Sequence, residues 1–386
     1  MSAERDPLNS RPAGDADLGS LYPFIAAQAS DAPRLSWLKG QFAELESLRR
    51  MGRRRLKDLL HYAPARCSPE PQILGREKRS GYTLERLTFR TAPGVRVPAS
   101  LLIPDGARLP APGVVALHDH GAFYLFGREK LLEIDAEPQA LTEFRKQYYS
   151  GLSTAAEMAR RGYVVIAIDM FYWGERRLLR PGDPESWTDR PASMSHEDVA
   201  AFNRRASQTE DLTARTIHAA GFTWPGVMLW DDLRTLDYLA SRPEVDPKRL
   251  ACVGLSVGGF RSCHLAAQDS RIRAAVIAGW MTSFPYQLRH RVINTIGHSM
   301  VVPGLYGDLD YPDVASLAMP SALLVINGSR DTLFEASGVQ RAFDRLHASY
   351  AKAGVPDRIR TRLYDTPHEF NSEMQAEAWD WLKRWV

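Results

Sequence analysis

From Gly113 onward, short continuous apolar runs alternate with longer stretches whose apolar residues recur at helical spacing. The runs are Gly113 to Leu117, Tyr163 to Ile168, Leu250 to Leu255, Ala274 to Ala278 and Ala322 to Ile326, with a last one near Arg360 to Tyr364. Such runs fit strands buried on both faces. The intervening helical segments, Gly151 to Arg161, Met228 to Ser241, Val257 to Asp269 and Gly338 to Ala353, supply the crossovers that parallel strands need, and Asn371 to Trp385 closes the series. Upstream, Thr83 to Arg90 and Val95 to Ile103 alternate in the strand manner around Ala92-Pro93-Gly94, which predicts a hairpin.

This pattern predicts an open α/β architecture: a mostly parallel twisted sheet of about eight strands, flanked by helices, with functional residues at the carboxyl ends of the strands. Before it, Leu38, Phe42, Leu45, Leu48, Met51, Leu56, Leu59 and Leu60 recur at roughly helical intervals. Residues 21–80 therefore read as an N-terminal helical cap segment and 81–386 as the main domain. Residues 1–20, rich in Asp, Pro, Gly, Ser and Arg, read as a disordered tail. Two stretches, about 171–224 and 281–319, are too long for plain loops and are expected to fold into lid-like insertions that wall the pocket.

Composition narrows the class. The 49 Lys and Arg nearly balance 46 Asp and Glu, so the formal charge of +3 gives no case for nucleic acid or an anionic membrane as partner. The run Arg49, Arg50, Arg53, Arg54 and Arg55 is expected to be a solvated helix face. Cys67, Cys252 and Cys263 have no metal-ligand spacing and form no disulfide framework. No run of 18 apolar residues exists to span a bilayer, and the N-terminus lacks a secretory apolar core, so a cytoplasmic location is expected. Homo-oligomerisation through the N-terminal helices is conceivable.

The sharpest local signal is Gly254-Leu255-Ser256-Val257-Gly258-Gly259, where an apolar strand meets a helical segment. A nucleophile elbow needs that context, because its serine sits on a strained turn and small neighbours let strand and helix approach. Ser256 is thus the candidate nucleophile. A serine hydroxyl needs a base to take its proton and an acid to orient the base, and on this architecture they follow in that chain order, acid then histidine. Asp331 and His368 fall on loops after two late strands, whereas Asp365 lies very close to the histidine and Asp169 precedes the nucleophile.

A tetrahedral intermediate also needs N–H donors for its oxyanion. Val257 supplies one, and Gly121 or Ala122, in the loop His118-Asp119-His120-Gly121-Ala122-Phe123, supplies the other. His118, Asp119 and His120 show only half a metal coordination sphere, so a hydrogen-bonded shell is the expected role and no metal site is assigned. His120, Phe123, Tyr172, Trp173 and Trp280 lie near strand ends or insertions and are the candidate substrate-binding residues.

From about Tyr82 to the C-terminus the chain resembles the dienelactone hydrolase and acetyl xylan esterase-like branch of the α/β-hydrolases. The matching features are the His-Asp-His-Gly loop, Gly174-Glu175-Arg176 after Asp169, Arg242 to Asp246, the elbow, and the Asp331 and His368 loops. The resemblance implies the α/β-hydrolase fold, an acyl-enzyme on Ser256, water activated by His368, a small-molecule ester as substrate (an acetylated sugar is one option), and no cofactor or metal. One departure is that dienelactone hydrolases proper use cysteine where this chain has Ser256, which favours ester chemistry. Glu175 and Arg176 are as readily a structural ion pair as site residues. The alternatives are a prolyl oligopeptidase-like peptidase or amidase, a lactone hydrolase, an acyltransferase and a non-catalytic binding protein; the 80 or so residues before the sheet are too few for the propeller domain of the first.

Overall fold

A computed structural model of the chain describes residues 21, 23–25, 33–288 and 296–386. The expected tail at 1–20 lies outside the described residues, as does part of the second insertion.

Among the described residues nine strands form one sheet: β1 (Gln72–Arg79), β2 (Tyr82–Ala92), β3 (Val95–Pro104), β4 (Ala111–Leu117), β5 (Val164–Ile168), β6 (Val245–Leu255), β7 (Ile272–Ala278), β8 (Ala322–Gly328) and β9 (Ile359–Tyr364). Their order is β1-β2-β3-β5-β4-β6-β7-β8-β9. The pairs from β1 to β5 are antiparallel, and every pair from β5 through β9 is parallel. In the parallel half, β5 and β8 are buried along their whole length, the expected result of helices covering both faces.

The principal helices are α1 (Leu45–Leu60), α2 (Gln139–Tyr149), α3 (Thr154–Arg160), α4 (His196–Ala219), α5 (Trp224–Ser241), α6 (Val257–Gln268), α7 (Ala336–Lys352) and α8 (Ser372–Trp385). Every residue of α6 up to Ala267 is buried, so the helix that follows the elbow runs through the interior. Its own apolar side chains, and the Arg261–Asp232 ion pair at 2.6 Å, replace solvent around it.

Two elements depart from expectation. Within residues 21–80, read above as helical, Gln72–Arg79 is a strand, which brings the sheet to nine. Its sequence QILGREKR lies at the sheet edge, with Ile73 and Leu74 exposed, so no buried face imposed an alternating pattern. The segment 36–62 does carry a helix, α1, but Met51 points outward while Leu48, Leu56, Leu59 and Leu60 are buried. At Gly52 an added Cβ would sit 2.4 Å from Leu317 Cδ2, so glycine permits the close docking of α1.

The described residues of both long insertions include helices. The first carries Glu185–Asp189 and the 24-residue α4, whose Ser195 side chain caps its N-terminus by accepting from Asp198 N. The second carries the short helices Phe284–Gln287, Leu305–Asp308 and Tyr311–Ser316.

Candidate active site

The elbow explains its own glycines. Ser256 has φ 59°, ψ −121°, a conformation costly for a residue with a side chain. A Cβ at Gly254 would lie 2.3 Å from Gly258 C, one at Gly258 2.0 Å from Leu117 O, and one at Gly259 2.5 Å from Ala278 O. The strand–helix turn therefore closes only with small residues at all three positions. It projects Ser256 from the end of β6 at the N-terminus of α6, the positive end of the helix dipole.

A relay of backbone hydrogen bonds then sets the neighbouring loops in order. Ser256 N donates to Ala278 O at 2.8 Å, Gly279 N to Ile326 O at 2.8 Å, and Ser329 N to Tyr364 O at 2.7 Å. Each bond fixes the exit of one strand against the next, from β6 to β9. Arg330 N adds a bond to Thr366 O at 3.0 Å, and a Cβ at Gly328 would meet Thr366 O and Pro367 O at 2.4 Å, so the β8 and β9 loops press together.

That relay brings His368 to Asp331: Nδ1 lies 2.6 Å from Asp331 Oδ2. The carboxylate is almost wholly enclosed, and its other oxygen accepts from Leu333 N at 2.8 Å. With Nδ1 turned to Asp331, Nε2 is the ring nitrogen outside that bond. The ring also abuts the elbow's support, since a Cβ at Gly279 would be 3.0 Å from His368 Cε1. Ser256 Oγ makes no hydrogen bond to His368 in this conformation; such contacts commonly close only when substrate is held.

The competing acids are occupied elsewhere. Asp365 is solvent-exposed and pairs with Arg330 at 3.1 Å. Asp169, at the end of β5, is fully buried and accepts from Arg128 N at 2.7 Å, from Glu175 N at 2.9 Å and from the Arg128 guanidinium. Burial pushes its carboxyl up against the pull of Arg128. Glu129, Asp169 and Glu175 place carboxylate oxygens within 4.8 Å of one another. Arg128 bonds both Asp169 and Glu175, and Arg190 pairs with Glu129 at 2.6 Å, so each carboxylate of this cluster has a guanidinium partner. Glu175 and Arg176 belong to such structural pairs: Arg176 reaches Asp231 at 2.7 Å.

The loop after β4 is held from below. Buried Lys130 donates to Asp119 O at 2.9 Å and His120 O at 3.0 Å, and contacts Asp119 Oδ2 at 3.2 Å. The other Asp119 oxygen accepts from Tyr149 OH. His118 Nε2 accepts from Met170 N at 3.2 Å, consistent with a neutral ring, because burial and then Lys130 and Arg261 hold its pKa well below the ordinary value. Lys130 and Tyr149 were not expected here; the charged run Arg128 to Lys130 just after the apolar Phe123 to Phe126 was the available signal.

Of the two second-donor candidates, Ala122 gives its N–H to His120 Nδ1 at 2.9 Å. A Cβ at Gly258 would also lie 3.1 Å from His118 O, so the N-terminus of α6, with the Val257 N–H, faces the start of this loop. His120 Nε2 meets Glu210 of α4 at 2.8 Å, and its carbonyl accepts from Trp173 Nε1 at 3.1 Å. Gly297 of the second insertion has its Cβ direction 3.9 Å from His120 Nε2. Both insertions therefore converge on His120.

The aromatic candidates require correction as direct contacts. Tyr172, Trp173 and Trp280 are only 2%, 0% and 2% exposed. Tyr172 OH is committed to Ala206 O at 2.8 Å, and Trp280 packs edge-on to Phe260 and Phe334. These side chains support the wall rather than line it, because strand-end aromatics look alike in sequence whether they face a cavity or the core. Phe123 is 9% exposed and stacks on Phe144 at 4.6 Å, while His120 keeps part of its ring open.

A parallel sheet with a strained serine at one strand end and an aspartate-held histidine on a later loop defines the α/β-hydrolase class. The model of the Abhydrolase family matches residues 35–381, and the chain belongs to that family. It is 26% identical over 334 residues to the "Putative hydrolase YtaP" of Bacillus subtilis (strain 168), covering 86% of this chain and 98% of that one. Its fold is also that of a "putative acetyl xylan esterase" from Bacteroides fragilis NCTC 9343, at TM-score 0.70 and 18% identity over 90% of this chain and 82% of the other. A glucuronoyl esterase from Solibacter usitatus superposes with TM-score 0.62 at 15% identity, covering 92% and 98%.

Proposed function

We propose that the protein is a serine esterase that cleaves carboxylic esters of small or medium acyl groups, acetylated sugars among them, through an acyl-enzyme on Ser256. The observation that carries this reading is the 2.6 Å bond from His368 to a buried Asp331, beside a serine held at φ 59°. In the proposed cycle, Ser256 Oγ attacks the ester carbonyl as His368 Nε2 takes its proton. Val257 and Gly121 N–H groups receive the oxyanion, and the leaving alcohol departs with the proton from His368. Water, deprotonated by the same nitrogen, then attacks the acyl-enzyme and returns Ser256 and a carboxylic acid. The names of the structural neighbours, acetyl xylan and glucuronoyl esterases, are in keeping with a carbohydrate ester.

The test is p-nitrophenyl acetate hydrolysis with stopped-flow detection, together with mass analysis after fluorophosphonate treatment. A burst of nitrophenolate and a single adduct on Ser256 are expected, with Ser256→Ala losing about 10⁴-fold or more of kcat. Undiminished turnover in Ser256→Ala rules the proposal out.

A further inference from the structure

The arginine run of α1 does not behave as the uniform solvated face its sequence predicts. Arg49 pairs with Glu46 at 2.7 Å, and Arg55 pairs with Asp308. Arg53 turns inward and donates to Ala267 O at 2.6 Å, in the last turn of α6. Arg54, with Lys57 one turn on, borders a cavity of about 660 Å³ between α1, α5 and the turn after α6. That volume lies within the roughly 300–1,000 Å³ typical of small-ligand sites.

The chemistry of this cavity is one-sided. Arg53, Arg54, Lys57, Arg66, Arg234 and Arg271 line it against two carboxylates, Asp237 and Asp269. Both acids are already engaged: Asp237 by Arg234 at 2.6 Å and Arg271 at 2.5 Å, and Asp269 by Arg271 at 2.6 Å. Among the described residues, Arg54, Lys57 and Arg66 form no ion pair. Arg234 and Gln268 also line it, with their Nε and Nε2 atoms enclosed and without a hydrogen-bond partner among the described residues. Trp230 and Tyr62 add an aromatic wall, the Trp230 ring already carrying Arg234 at 5.0 Å.

We propose that this cavity is a binding site for a small phosphorylated ligand, a phosphate ester or a diphosphate, distinct from the esterase centre. Guanidinium forks match phosphate oxygens in pairs, and several of them around one concavity select a compact polyanion over a monovalent carboxylate. The site is remote from the reaction: Gln268 is eleven residues along α6 from Val257, roughly 17 Å of helix. The proposal does not depend on the esterase reading.

Isothermal titration of the full-length protein with pyrophosphate, ADP and citrate tests it. The expected result is saturable one-to-one binding of pyrophosphate, weakened by salt, with ADP at least as tight and citrate weaker. ADP binding more tightly than pyrophosphate places the nucleoside on the aromatic wall, and equal affinities assign recognition to phosphate alone. Arg54→Gln/Arg66→Gln, which alters exposed side chains, should weaken pyrophosphate about tenfold or more. Arg204→Gln/Arg215→Gln, an equal charge loss on α4, should leave it unchanged. No saturable binding, undiminished affinity in the first variant, an equal loss in the second, or citrate as the tightest ligand each overturns the proposal.

Discussion

The two halves of the sheet are built by different means. In the parallel half, β4 to β9, buried strands exit side by side and backbone hydrogen bonds pass from Ser256 to Ala278, from Gly279 to Ile326 and from Ser329 to Tyr364. In the antiparallel half, β1 to β3, strand pairs are laced by charged side chains, and Glu77, Arg86 and Arg90 of β1 and β2 lie in solvent-facing ion pairs. The contrast teaches that precision resides where the chain has no freedom. Backbone relays in a dry interior fix Ser256, Asp331 and His368, whereas long charged side chains at an edge tolerate change.

The sharpest way to break this comparison is Asp331→Asn. It keeps the shape of the loop but removes the acceptor that orients His368, and kcat for an ester should fall about 10⁴-fold. Circular dichroism should find the fold intact; a drop under tenfold would mean the buried carboxylate has no orienting role.

A second probe reaches the parallel half through pH. Burial pushes the His264 imidazole down to about 4; its Nδ1 sits 2.9 Å from Phe260 O and its Nε2 lacks a partner. The unfolded chain takes up a proton near pH 6.5 and the folded chain only near 4, so the unfolded state binds more protons in between. Stability should therefore be lost as pH falls from about 6.5 to about 4, by about 3 kcal/mol from this residue alone. His264→Leu should flatten that part of the Tm profile, and an unchanged slope would reject the assignment. His118, also held neutral by burial, keeps some slope of the same sign.

The smallest effect is expected at the edge. Arg90 pairs with Glu70 at 2.8 Å with both groups exposed, so Arg90→Ala should shift unfolding free energy by no more than about 1 kcal/mol. A loss of several kcal/mol in urea titration would erase the distinction between the halves.

The same division governs what can be read from residue order alone. The parallel strands announce themselves because burial on both faces demands an unbroken apolar run, and the elbow does so because its glycines answer steric demands within a few residues. β1 is silent, since an edge strand with charged side chains obeys no such demand. The loop's supports are silent for another reason: Lys130, Tyr149 and Glu210 reach it from 10, 30 and 90 residues away in the chain. Tyr172, Trp173 and Trp280 mislead because aromatic character reports burial without saying on which side of a wall.

His120 has a consequence for how such a protein can diversify. Because its ring and carbonyl fasten Glu210 and Trp173 of the first excursion, that excursion can be exchanged for a differently shaped one without disturbing the carboxylate and imidazole farther along. The shape of the wall is thereby uncoupled from the groups held at the strand ends.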